Sequence, residues 1–126
     1  MSIVRFAPLL LLVMPAAALA QSMNAEVFYK KAAALEKKGA MAIFSSDLKL
    51  VMNEGKASAR KARATRLAAL KAGQKPRYCP PEGSKGMSSD EYMRGLAAIP
   101  ASERAKIDTA EATTRILIRK FPCLPS

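Results

Sequence analysis

Arg77-Tyr78-Cys79-Pro80-Pro81-Glu82-Gly83 is the stretch on which the fold of this chain turns. It lies inside residues 73–86, a segment with three prolines, three glycines and little helix signal, so a loop is expected there. Residues before proline are pushed out of the helical region, so the part from 75 to 81 reads as extended. Cys79 has one counterpart in the chain, in Arg119-Lys120-Phe121-Pro122-Cys123. Two cysteines in a small exported domain are expected to pair. Closing the loop between them removes unfolded-state entropy worth about 4 kcal/mol. Their wide separation points to a structural staple rather than a redox pair.

The oxidising compartment is inferred from the N-terminus. Arg5 precedes an apolar run over residues 6–14, Pro15 breaks it, and Ala18-Leu19-Ala20 supplies a small-x-small cleavage pattern before Gln21. The run is too short to span a bilayer. Residues 1–20 are therefore expected to be a cleaved signal peptide directing the chain to the periplasm; an uncleaved interfacial helix is the alternative. No Cys follows the cut, which argues against a lipid anchor. Residues 21–126 suit a single helical domain.

The chain has 21 Lys and Arg against 10 Asp and Glu, a net charge of +11. Arg5 is the one charged residue of the signal, so 20 basic and 10 acidic residues remain after cleavage, or +10. That excess favours an acidic protein, lipid headgroups or an anionic cell-wall polymer. Nucleic acid is not an expected partner of an exported chain.

Catalytic chemistry is thinly provided. There is no His, the commonest general base and transition-metal ligand. Pairing the cysteines leaves no thiolate. No Gly-rich phosphate loop and no metal-binding carboxylate cluster is present, so no cofactor is expected. The chain reads as a non-enzymatic protein.

Outside the loop the pattern is helical: Ala, Leu, Met, Lys, Glu and Arg dominate, and two-residue alternation is absent. The expected fold is all-α, a small bundle of four to five helices with one disulfide. A first helix is expected over residues 24–38, capped by Asn24 and closed by Gly39, with Phe28, Ala32 and Leu35 on its apolar face. An apolar connector, residues 41–44, leads to a long helix over residues 45–72, with Ser46 or Asp47 as its cap and Leu48, Val51 and Met52 as its first core residues. Its later stripe, Val51, Gly55, Ser58, Ala62, Thr65 and Ala69, is nearly all small, permitting a close helix partner but burying little area.

After the loop, Ser88-x-x-Glu91 reads as a capping box opening a helix to Ile99, with Tyr92, Met93 and Leu96 on it. A short turn is expected after Pro100. Asp108-x-x-Glu111 repeats the capping pattern before a last helix. Its expected core stripe is Ala110, Thr114, Leu117 and Phe121, flanked by Ile116 and Ile118.

Eight basic residues lie between Lys56 and Arg77, and no acid lies between Glu54 and Glu82. Such a run ordinarily makes a solvated face. The functional reading is a docking surface, with Lys56, Arg60 and Arg63 on one helix face at i, i+4 and i+7. Arg66 and the loop residues Tyr78 and Glu82 complete the candidate partner-binding set.

From residue 78 to residue 123 the order of landmarks resembles the Rap/Tai family of type VI secretion amidase-immunity proteins. The landmarks are Tyr78-Cys79-Pro80-Pro81, then Ser88 with Tyr92 and Leu96, then Pro100, then an Ala- and Leu-bearing helix, then Phe121-Pro122-Cys123. The resemblance implies an all-helical periplasmic protein that binds and blocks a secreted peptidoglycan amidase, with a homodimer among the assemblies it allows. A basic envelope-associated protein holding anionic lipid or cell-wall polymer is the alternative.

Overall fold

The computed structural model describes residues 22–125; the signal-peptide reading falls on residues outside that range. Helices α1 (Ala25–Lys38), α2 (Ser46–Lys71), α3 (Ser89–Ala98), α4 (Ala101–Arg104) and α5 (Thr109–Lys120) follow in order, with a 3₁₀ segment, Gly39–Phe44, between α1 and α2. No strand occurs among the described residues, and one isolated antiparallel bridge joins Asn24 and Asp108. Cys79 and Cys123 are bonded, with their Cα atoms 4.9 Å apart. The expected all-α bundle with one disulfide is present.

The helix ends show local chemistry at work. The Asn24 side chain accepts from the Glu26 and Val27 amides, satisfying two orphan donors of α1. Ser45, rather than Ser46 or Asp47, caps α2, accepting from the Asp47 amide. At the other end of α2 the Gly73 and Gln74 amides bond back to the Leu70 and Ala69 carbonyls. Gly73 takes a φ of +70°, the left-handed geometry this paired closure needs. Ser88 and Asp108 each accept from the amide three residues on. The acids at those third positions leave the expected reciprocal bond aside: Glu91 pairs with Lys120 and Glu111 with Arg77.

The core joins α1, α3 and α5. Phe28, Ala32, Leu96, Ile99, Ala112 and Ile116 are buried together, and Phe28 meets Tyr92 edge-on at 6.1 Å. Tyr92 and Thr113 share a hydrogen bond of 2.7 Å, while burial pushes the Tyr92 phenol above its ordinary pKa against the pull of that bond. The expected stripe of α5 is corrected by this packing. Thr109, Ala110, Ala112, Thr113 and Ile116 are its buried residues, while Thr114 and Leu117 are half-buried. The helix lies between α2 on one side and α1 and α3 on the other, so its buried surface is broader than one stripe. Met52, expected in the core, is exposed.

Two polar clusters tie distant segments together. Ser22 and the Met23 amide donate to the Glu54 carboxylate of α2, at 3.0 and 2.7 Å. The Thr109 amide and hydroxyl both donate to the Met23 carbonyl. Elsewhere, Arg104 is buried: its Nε donates to Glu26 at 2.6 Å, and its Nη1 donates to the carbonyls of Leu96 and Ile99. The same guanidinium lies 4.1 Å from the centre of the Tyr29 ring.

Candidate functional site

The small-residue stripe of α2 positions the candidate site. Ser58 and Ala62 are buried, and α2 lies along α5 over its most extensive helix contact. Lacking bulk, the C-terminal half of the stripe leaves a cleft of about 290 Å³ between α2, α5 and the loop after α2. The loop is held there by the disulfide and by the Cys79 amide bonding to the Phe121 carbonyl at 2.8 Å, among other contacts. Pinned in this way, Tyr78 turns inward and is 5% exposed.

Six charged residues line the cleft: Lys61, Arg66, Lys75, Arg77, Asp108 and Glu111. The acids are committed. Arg77 grips Glu111 with two nitrogens, at 2.7 and 2.9 Å, and Arg115 reaches the same carboxylate at 3.3 Å. The Arg77 hydrogen bonds hold the Glu111 carboxyl below its usual range, against partial burial, and the same bonds raise the Arg77 guanidinium. Asp108 Oδ1 is taken by the Glu111 amide.

The remaining cations have no such partners. Arg66 lies 5.6 Å from the centre of the Tyr78 ring, and its Nε is buried without a hydrogen bond. Lys61 and Lys75 are exposed at the rim. None of the ion pairs among the described residues uses a cation of α2 or Lys75. The arrangement can receive an anionic group, with guanidinium and ammonium donors around an aromatic floor.

The six residues expected to bind a partner are divided between two surfaces. Lys56, Arg60 and Arg63 are exposed on the outward face of α2, away from the buried stripe. Arg66 and Tyr78 meet in the cleft. Glu82 is exposed in the loop and makes no hydrogen bond or ion pair with a described residue. Lys61 and Lys75 belonged to the basic run, but nothing in their spacing marked them as rim residues. Glu111 read as a capping residue, and its union with Arg77 across 34 positions has no local signal. Among the described residues no group of three or more His, Cys, Asp and Glu is placed to hold a metal. Compared with known proteins, the chain matches no family model, no curated protein and no solved structure.

Proposed function

We propose that this is a non-catalytic binding protein that receives an acidic partner on its α2 surface, and that the partner is a secreted peptidoglycan amidase, which it blocks. One observation carries the first part: the cations of α2 and Lys75 are uncompensated, whereas the acids beside the cleft are already engaged. An uncompensated basic surface speeds encounter with an acidic one and selects against basic surfaces. The landmarks over residues 78–123 support the choice of amidase. The N-terminal pattern supports periplasmic residence, which suits an oxidised Cys79–Cys123 pair.

The test is whether the chain inhibits peptidoglycan hydrolysis by a secreted amidase whose gene is found beside its own. Inhibition is expected to weaken with rising salt. Arg60→Glu with Arg63→Glu should weaken it by roughly a hundredfold while leaving the melting temperature unchanged. Unimpaired inhibition by that variant would place the interface elsewhere. Absence of any amidase binding, together with salt-sensitive binding to isolated peptidoglycan, would replace this reading with the envelope-associated one.

A further inference from the structure

The tip of the hairpin between α1 and α2 gathers three exposed large apolar side chains within four residues. Met41, Ile43 and Phe44 are 63%, 69% and 76% exposed, and none belongs to the core cluster. They lie in the 3₁₀ segment Gly39–Phe44, whose threefold repeat puts Met41 and Phe44 on the same side. Lys37 and Lys38 end α1 just before the tip, and Lys49 follows it in α2; all three are exposed and outside every ion pair of the described residues. Of the nearby acids, Asp47 is engaged by Lys31 at 3.4 Å, and Glu36 is exposed.

We propose that this tip docks on an anionic lipid bilayer. Met41, Ile43 and Phe44 enter the headgroup region, and Lys37, Lys38 and Lys49 meet the lipid phosphates. The proposal goes beyond the acidic-partner reading and does not rest on it. Shape and charge together select the occupant. A specific protein interface covers about 800 Å² on each partner, far more than a six-residue tip offers. A second copy of the chain would bring two lysine collars face to face. A fluid bilayer imposes no shape, rewards each apolar group that enters, and attracts each lysine near an anionic surface. No helix among the described residues is long and apolar enough to cross a membrane, so the contact proposed is interfacial.

The chain contains no Trp, so Phe44→Trp places a sole indole reporter at the tip. With vesicles of phosphatidylethanolamine and phosphatidylglycerol its emission should shift to the blue, and with phosphatidylcholine alone it should not. In co-sedimentation with the same vesicles, Ile43→Ser with Phe44→Ser should lower partitioning by about tenfold or more. Lys37→Gln with Lys38→Gln should lower it by about tenfold or more, and salt should weaken it. All four positions are exposed, so unchanged melting temperatures confirm that the variants fold. The blue shift should survive Arg60→Glu with Arg63→Glu, which separates this site from the α2 face. An unshifted indole overturns the proposal. So does a serine variant that partitions like the native chain, or one that loses a dimer in sedimentation without any lipid binding having been present.

Discussion

A guanidinium has five N–H donors and keeps its charge at any accessible pH, so burying one obliges the surrounding chain to satisfy it. Arg104, 6% exposed, is satisfied by the Glu26 carboxylate and by two carbonyls at the end of α3, joining α1, α3 and α4 at one point. Arg104→Met leaves that carboxylate and those carbonyls without their donor, and should cost about 3–5 kcal/mol in urea denaturation. Arg104→Lys should recover little, because an ammonium cannot span the three acceptors. Glu111 shows a milder dependence, on pH. Its carboxyl sits below the usual 4.5 because Arg77 bonds its charged form. The stabilisation is therefore complete above the unfolded value and is lost as pH falls through the lower folded one. Glu111→Gln should melt below the native chain at neutral pH, and the gap should close on acidification below about pH 4. A gap that widened in acid would contradict this assignment.

Among the elements, α2 and α3 answer the same substitution in opposite ways. Gly55 sits in the small-residue stripe, where close approach was expected, yet an added methyl would meet only Phe28 Cζ at 3.9 Å. Gly55→Ala should therefore stabilise by about 0.5–1 kcal/mol, through the lower entropy of the unfolded chain and better helix propensity. At Gly95 of α3, by contrast, an added methyl would lie 2.8 and 2.9 Å from two carbons of Ile116. Since Ile is stiff in a helix, Gly95→Ala should destabilise by about 1–2 kcal/mol despite the propensity gain. Thermal melts of the two variants on either side of the native chain would verify the contrast. Periodicity located the buried part of the α2 stripe, Ser58 and Ala62, because only one face of that helix is buried, although Thr65 farther along it is exposed. It misplaced the stripe of α5, which has neighbours on two sides, and it gave no warning of Gly95.

For the whole molecule, the features legible in the sequence were those written in neighbouring residues: the caps of α1, α3 and α5, the loop, the helix order and the cysteine pair. Arg77 with Glu111, Arg104 with Glu26, and Arg66 over Tyr78 depend on how helices cross, and no local spacing encodes them. The disulfide is the exception, a long-range contact readable because the chain offers only two candidates. Cys79→Ser with Cys123→Ser should lower the melting temperature by roughly 10–20 °C, read by circular dichroism. An unchanged melt would show that packing alone holds residues 79–123 in place. The bridge also sets how the molecule bears a mechanical load. A pull between residues 22 and 125 passes through α1 and α2, crosses at Cys79 to Cys123, and leaves α3, α4 and α5 outside the line of tension. Oxidised, the described chain can pay out roughly 200 Å of contour; reduced, roughly 360 Å. Three of its five helices lie in a covalent ring that tension between the ends cannot unravel.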